Sequence, residues 1–197
     1  MGKHKDSMLA GDWYIADDPE LLADTERRIE LCAAFNATAG HTPGTYDPAR
    51  RDAVLAQLLG SVGTNVRIRP PFHCDYGYLI SIGSGTFVNF GAVFLDAAPI
   101  TIGAHVQIGP NVQLLTPTHE LDAERRRAGW EKGLPVTIGD NVWLGGGAIV
   151  CPGVTIGENT VVGAGAVVIK DLPPGVLAVG NPARVLRKLD ETTNDTN

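Results

Sequence analysis

The chain has 197 residues, a formal net charge of -6 at pH 7 and three cysteines. Its length suits one domain with a small appendage, and the acidic balance without a basic cluster argues against nucleic acid as a partner. No uninterrupted apolar stretch of about 18 residues occurs, so no membrane span is predicted. Cys32, Cys74 and Cys151 show no pairing pattern, which favours free thiols in a cytoplasmic protein.

The N-terminal residues predict a tail and one helix. Residues 1–7 are charged, lack the apolar stretch of a secretory signal and are expected to be disordered. Asp18-Pro19 is a typical helix start, because Asp can cap free N–H groups and Pro suits the first turn. A helix from residue 20 to residue 35 follows. Its apolar face is predicted as Leu22, Ile29 and Ala33, with Leu21 and Cys32 at the edges.

A second helix is predicted directly before residue 60. A loop at 36–47 leads to Asp47-Pro48, which repeats the same start signal. The helix is expected to stop at Gly60, because glycine is favoured where a helix ends in a left-handed residue. Residues 1–60 are therefore predicted to form a helical segment that caps the rest of the chain and contributes to its site.

From residue 61 to residue 188 the chain changes to a six-residue repeat. The position after each aliphatic residue is often Gly, and the fourth position after it is small or β-branched. Three such sides per turn give a triangular coil of about 18 residues, whose short strands pair with those of the next coil. The pattern predicts an all-β solenoid. Its clearest aliphatic positions are Ile102, Ile108, Leu114, Ile138, Leu144, Val150, Ile156, Val162 and Val168.

One interruption of the repeat keeps its register. Leu114 and Ile138 are 24 residues apart, which is four repeats, so the inserted segment can leave the solenoid without disturbing the coils on either side. We therefore predict an extruded loop at 116–135, and this loop contains His119. The polar residues 189–197 are expected to form a disordered tail.

Three stretches carry a resemblance to a known family beyond the repeat itself. They are Pro70-Pro71-Phe72-His73-Cys74-Asp75-Tyr76-Gly77, Asn141-Val142-Trp143-Leu144-Gly145 and Gly180-Asn181-Pro182-Ala183-Arg184-Val185. Hexads with a histidine-bearing loop are similar to hexapeptide-repeat acetyltransferases. With these stretches, residues 8–188 resemble the maltose, galactoside and nodulation O-acetyltransferase group.

The resemblance implies both a fold and an activity. The fold would be a left-handed parallel β-helix with a small N-terminal helical segment, assembled as a homotrimer with sites between subunits. The activity would be transfer of acetyl from acetyl-coenzyme A to a hydroxyl of a sugar or glycoside, by direct attack in a ternary complex and without a metal. Each of these properties is an expectation from the resemblance.

Acetyl transfer to a hydroxyl needs a general base, and histidine suits that role because its unperturbed pKa is near 6.5. His4 falls in the predicted tail, His41 in a Gly- and Pro-rich loop, and His105 at a position expected to point outward. His73 is ambiguous. His119 lies on the extruded loop and matches the catalytic position of the resembled family, so it is the predicted base.

Five further residues are predicted to bind the acceptor. Asn89 stands where the repeat usually has Gly, and Asp75 matches a family position where a carboxylate can bind sugar hydroxyls. A structural turn role remains open for both. Asp96 matches its family position less closely. The resembled family also has an N-terminal Asp that contacts the acceptor, and Asp17 lies close to the matching position. Glu131 is predicted either to orient His119 or to contact the acceptor.

The resemblance also implies a binding site for acetyl-coenzyme A along the later coils. Small residues would let the pantetheine arm lie against the backbone, and the cations Lys170, Arg184 and Arg187 would meet the phosphates. Gly146 and Ile169 replace side-chain contacts of some relatives, so they would act through the backbone. The full donor set is Trp143, Gly146, Ala164, Ile169, Lys170, Arg184 and Arg187.

Other functions remain open from the sequence. An acetyltransferase with an amine or antibiotic acceptor, or a non-catalytic β-helix scaffold, would carry the same repeat. A zinc carbonic anhydrase of this fold needs three converging imidazoles. His105 and His119 are 14 residues apart and have no closely spaced partner histidine, which argues against that class.

Overall fold

The computed structural model describes residues 3–39 and 47–189. His41 and residues 190–197 of the tail predicted at 189–197 lie outside the described residues. Within the described ranges, no helix is both long enough and apolar enough to cross a membrane.

The N-terminal segment contains three helices and one short strand. They are α1 (Lys3–Leu9), β1 (Tyr14–Ile15), α2 (Pro19–Asn36) and α3 (Pro48–Leu58), with a 3-10 turn at Ala37–Ala39. Both predicted helix starts are confirmed, because Asp18 accepts a hydrogen bond from the backbone N–H of Glu20 and Asp47 accepts one from Arg50. Proline follows the capping Asp in each case.

Two details of this segment differ from the sequence prediction. Residues 3–7 belong to α1 rather than to a tail, because Met8 packs into a buried cluster with Tyr14, Leu21 and Tyr76. The buried face of α2 is formed by Leu21, Cys32 and Phe35, while Leu22 and Ile29 are 52% and 54% exposed. Leu21 and Cys32 were expected only at the edges of that face.

Gly60 has a different role from the one predicted. Helix α3 ends at Leu58, and Leu59 takes an extended conformation as its C-cap. Gly60 is not among the residues with positive φ. A Cβ at this position would collide with the carbonyl oxygen of Tyr78. Glycine is therefore required by close approach of the first coil, and not by a left-handed helix end.

A parallel β-solenoid starts at Ser61, as the resemblance implied. The first coil is β2 (Ser61–Val62), β3 (Arg67–Ile68) and β4 (Phe72–Cys74), the second is β5 (Ile80–Ile82), β6 (Phe87–Val88) and β7 (Ala92–Leu95), and the third is β8 (Ile100–Ile102), β9 (Gln107–Ile108) and β10 (Gln113–Leu115). The extruded loop contains β11 (Pro117–His119), α4 (Ala123–Arg127) and β12 (Trp130–Gly133). The later coils are β13 (Val136–Ile138), β14 (Trp143–Leu144), β15 (Ile149–Val150), β16 (Thr155–Ile156), β17 (Val161–Val162), β18 (Val167–Val168), β19 (Val176–Val179) and β20 (Arg184–Lys188).

These strands stack into the three sides of a prism. Sheet I holds β2, β5, β8, β13 and β16; sheet II holds β3, β6, β9, β14, β17, β19 and β20; and sheet III holds β4, β7, β10, β15 and β18. The predicted aliphatic positions from Ile102 to Val168 form the core and are each at most 2% exposed. The predicted all-β solenoid is confirmed.

The coils are not all of the predicted length. Thr137 pairs with Thr155, which gives 18 residues per coil, but Ser61 pairs with Ser81, which gives 20. In the early coils the two additional residues lie at the corner between sheets III and I. That corner is also where the extruded loop leaves the third coil, so the repeat is least regular where the loop is attached.

Both ends of the solenoid are covered. Helices α2 and α3 pack on the first coil, where Phe35 meets Phe72 edge to face and Asn36 exchanges two hydrogen bonds with the Phe72 backbone. At the other end, β20 turns back and pairs antiparallel with β19. Strand β20 therefore forms the last strand of sheet II and covers the edge of β19.

Candidate functional site

Two edges of the prism carry the predicted site residues. The loop edge is the corner between sheets III and I, and it includes Asp75, Asp96, the extruded loop and Lys170. The glycine edge is the corner between sheets II and III, at segments 89–91, 109–112, 145–148 and 163–166.

The extruded loop is a hairpin with an added third strand. β11 and β12 pair antiparallel, and β1 from the N-terminal segment pairs antiparallel with the other side of β12. The Arg125 guanidinium lies 5.9 Å from the Trp13 ring centroid and 5.1 Å from that of Trp130, so it joins the two strands by cation–π contacts. The loop is consequently braced from the N-terminus.

His119 ends β11 and lies directly opposite Glu131 on β12. The imidazole Nδ1 is 3.9 Å from Glu131 Oε2, and the two side chains are 58% and 17% exposed. This distance is too long for a hydrogen bond, but a shift of about 1 Å would make one. If Nδ1–H donated to Glu131, the Nε2 lone pair would be free to take a proton from a substrate.

Asp75 lies at the same edge and is partly buried. Burial raises its pKa to about 6, with Arg28 lowering it and Glu131 raising it further. The Arg28 Nε donates to the Asp75 backbone carbonyl. Asp75 and Glu131 therefore place two carboxyl groups on the edge that carries His119, and carboxylates are effective partners for sugar hydroxyls.

The geometry does not support an acceptor contact for Asp96. Its side chain is fully buried. The two carboxylate oxygens accept four backbone hydrogen bonds, from Asp75, Tyr76, Gly77 and Leu79, at 2.7 to 3.2 Å. Burial raises the pKa of Asp96 to about 6, while these bonds act in the opposite direction. These four bonds use the acceptor capacity of the carboxylate. Through them Asp96 stabilises the enlarged corner that presents Asp75.

Asp17 and Asn89 belong to other segments than the extruded loop that carries His119. Asp17 is exposed just after β1, and its neighbour Asp18 is the buried residue that caps α2. Asn89 lies on the glycine edge, where its Oδ1 accepts a hydrogen bond from the Phe90 backbone N–H. Sheet III separates Asn89 from the loop edge. The intervening strand, β7, has four residues, or roughly 13 Å.

The predicted donor residues divide between several places. Gly146 and Ala164 stack on the glycine edge, where a Cβ on the adjacent Gly145 would come within 2.5 Å of the Ala164 nitrogen. Trp143 is exposed on sheet II, and Arg184 and Arg187 are exposed on β20. Ile169 and Lys170 are exposed at the loop edge, above His119 in the stack of coils. The predicted site residues of one chain therefore lie on separate edges of the prism.

Tyr14, Trp13 and Trp130 were not predicted as part of the site. Their only sequence signal is an aromatic pair at the N-terminus and a tryptophan directly before Glu131. Their contacts join segments more than 100 residues apart, so no local pattern identifies them. Among the described residues, no group of three His, Cys, Asp or Glu side chains could hold a metal ion.

The chain matches two family models and a relative of similar length. Residues 7–63 match the model of the maltose acetyltransferase hexapeptide capping motif, and residues 135–170 match the bacterial transferase hexapeptide model of six repeats. Nodulation protein L of Rhizobium meliloti is 50% identical over 92% of this chain and 96% of its own length.

Solved structures agree over nearly the whole chain. A maltose O-acetyltransferase from Clostridium difficile has a TM-score of 0.90 at 45% identity, covering 95% of this chain and 98% of the other. A hexapeptide-repeat acetyltransferase from Vibrio cholerae, solved with acetyl-coenzyme A, has a TM-score of 0.86 at 40% identity, covering 96% and 100%. The fold, the capping segment and these relatives place the chain in the hexapeptide-repeat acetyltransferase family, in the group of maltose acetyltransferases and nodulation protein L, and it is an acyltransferase.

Proposed function

We propose that this enzyme transfers the acetyl group of acetyl-coenzyme A to a hydroxyl of a sugar or glycoside, with His119 as general base. The observation that carries the proposal is an exposed imidazole directly opposite a carboxylate, on the same edge as Asp75. The solved relatives bind acetyl-coenzyme A or act on maltose by their descriptions.

The proposed reaction is a direct transfer between two bound substrates. His119 Nε2 removes the proton of the acceptor hydroxyl as its oxygen attacks the thioester carbonyl. The tetrahedral intermediate then expels the coenzyme A thiolate, which takes up the proton from the His119 imidazolium. Glu131 faces Nδ1 and stabilises the imidazolium that forms, while Asp75 holds a neighbouring hydroxyl of the acceptor. No covalent acyl-enzyme is required.

We further propose that the working enzyme is a homotrimer with sites between subunits. This follows from the two half-sites, because the loop edge carries the base and the glycine edge carries Asn89, Gly146 and Ala164. In a closed ring, the loop edge of one subunit can face the glycine edge of the next. Trp143 and the two arginines of β20 would then complete the donor site from the second subunit.

The test is an acetyl-transfer assay that follows free thiol across a panel of sugars, glycosides and amines. Turnover with sugars or glycosides, and loss of turnover on replacing His119, is the expected result. Thiol release only with amines would overturn the acceptor class. An inactive protein with every acceptor, in spite of a trimeric state by light scattering, would support the scaffold alternative instead.

A further inference from the structure

Tyr14 is a buried polar residue for which the proposed reaction has no role so far. Its side chain is 0% exposed, and its hydroxyl has no hydrogen-bond partner among the described residues. A buried hydroxyl without a partner is costly, and it needs a physical explanation. The explanation lies in the residues beside it.

Strand register places Tyr14 in one row with the proposed base. Tyr14 is directly opposite Glu131 across β1 and β12, and Glu131 is directly opposite His119 across β12 and β11. Directly opposite residues of antiparallel strands point to the same face, with Cβ atoms roughly 5 Å apart. The three side chains therefore form a continuous row, with the carboxylate between the phenol and the imidazole.

The phenol ring is held firmly on its side of the row. It packs in the buried cluster with Met8, Leu21 and Tyr76. The strand that carries it is also fixed, because the backbone N–H of Ile15 donates to His4 Nδ1 at 3.1 Å. The packed ring therefore gives the Tyr14 hydroxyl a fixed position beside Glu131.

The chemistry of the hydroxyl favours hydrogen-bond donation. Burial raises the pKa of Tyr14 well above its ordinary value, and Glu131 raises it further, both by its negative charge and by its proximity as a hydrogen-bond acceptor, while Tyr76 and Asp75 contribute less. The phenol consequently remains protonated throughout the working pH range. Its nearest strong acceptor along the row is Glu131, yet no hydrogen bond of normal geometry joins the two groups in this structure.

We propose that Tyr14 is a positioning residue, whose hydroxyl donates a hydrogen bond to Glu131 and thereby holds that carboxylate against Nδ1 of His119. The inference rests on the proposed function, because it assigns Tyr14 to the base of that reaction. A carboxylate fixed from the far side can keep the imidazole in the tautomer with a proton on Nδ1 and a free Nε2.

The direct test is Tyr14→Phe, which removes only the hydroxyl and keeps the packed ring. We expect kcat to fall about tenfold, the usual scale for a hydrogen bond to a charged group. The KM values for both substrates should remain within about twofold, and the melting temperature should not fall. Tyr78→Phe is the matched control, since Tyr78 donates to Asp24 away from the row at 2.9 Å. That control should keep kcat.

A double-mutant cycle tests the route of the effect. Because Tyr14 acts through Glu131, adding Tyr14→Phe to Glu131→Gln should lower kcat by less than about twofold. Full additivity would overturn the proposal. So would an increase in the acceptor KM at unchanged kcat, which would make Tyr14 an acceptor contact, or wild-type kcat in Tyr14→Phe. If His119→Asn is inactive while Tyr14→Phe is normal, only this inference fails; an active His119→Asn removes the proposed base itself.

Discussion

The loop edge carries an exposed imidazole and two carboxyl groups with raised pKa values, whereas segments 89–91, 109–112, 145–148 and 163–166 of the glycine edge carry no ionisable side chain. Both edges arise from the same hexad repeat. The glycine edge keeps the six-residue spacing in every coil, and its glycines allow neighbouring coils to approach closely. The loop edge departs from the repeat by two residues per early coil and by the inserted hairpin.

We infer that the two edges have different roles in the proposed enzyme. A regular edge can hold an extended ligand through backbone contacts, since each coil presents the same groups. An irregular edge can collect charged residues from distant segments, and it needs additional bracing to keep them in place. Asp96, Arg125 and β1 provide that bracing here.

The largest effect should come from His119 at the loop edge. His119→Asn cannot accept a proton, so we expect kcat to fall by about two to four orders of magnitude. The matched control is His105→Asn, because His105 is an exposed histidine with φ 57°, a conformation that Asn tolerates. The control should retain activity. Turnover near that of the wild type in His119→Asn would rule out its role as base.

A large effect on stability should come from Asp96. In Asp96→Asn, the amide nitrogen would face two backbone N–H groups that now donate to a carboxylate oxygen, so we expect a loss of about 3 kcal/mol in the free energy of unfolding. Asp140→Asn is the control, because the exposed Asp140 accepts one backbone hydrogen bond, from Ala104. Urea unfolding of both variants measures the difference. Equal losses would show that Asp96 is not a special brace.

A smaller effect is expected for the donor half. Replacing Arg184 and Arg187 together with Ala removes two cations from β20, and we expect the KM for acetyl-coenzyme A to rise about tenfold while the acceptor KM changes little. Arg50→Ala on α3 provides a control at the opposite end of the solenoid. Steady-state kinetics with each substrate varied in turn would distinguish the outcomes, and equal changes in both KM values would contradict a donor role.

The smallest effect concerns the pH dependence of stability. Asp75 has a folded-state pKa of about 6 against an ordinary value of 3.8, so the folded protein binds this proton more tightly than the unfolded chain. Its contribution therefore lowers stability as pH rises from about 4 through 6. The free energy of unfolding should therefore fall between pH 5 and pH 7.5, and Asp75→Asn should make that fall smaller by about 1 kcal/mol. Urea unfolding at both pH values checks this, and an unchanged difference would contradict the burial effect.

Several elements could be predicted because their signals are local. The capping Asp18 and Asp47 lie within three residues of the helix N–H groups that they cap. The hexad positions reach the core because a coil repeats its backbone conformation every six residues, whatever the neighbouring coil contains. The same argument identified the loop, since an insertion that preserves the register must leave the prism.

Other features could not be predicted because they depend on which distant surfaces meet. The stripe of α2 containing Leu22 and Ile29 is as apolar in sequence as the stripe that is buried. Only the packing of α2 against the first coil decides which of the two stripes is buried. Likewise, position 60 requires glycine because a Cβ there would collide with the carbonyl oxygen of Tyr78, 18 residues later. The four backbone hydrogen bonds of the buried Asp96 could not be predicted either, because burial is invisible in a sequence match.

The sequence by itself determined the solenoid, its core, the helix starts and the position of the histidine-bearing loop. These follow from short-range periodicity and capping, which the covalent chain imposes on its own neighbours. Only the tertiary structure decided that Tyr14, Glu131 and His119 form one row, and that the backbone N–H of Asp75 donates to the Asp96 carboxylate. Those relations require strand pairing and burial between remote segments, and no local pattern encodes which segments will meet.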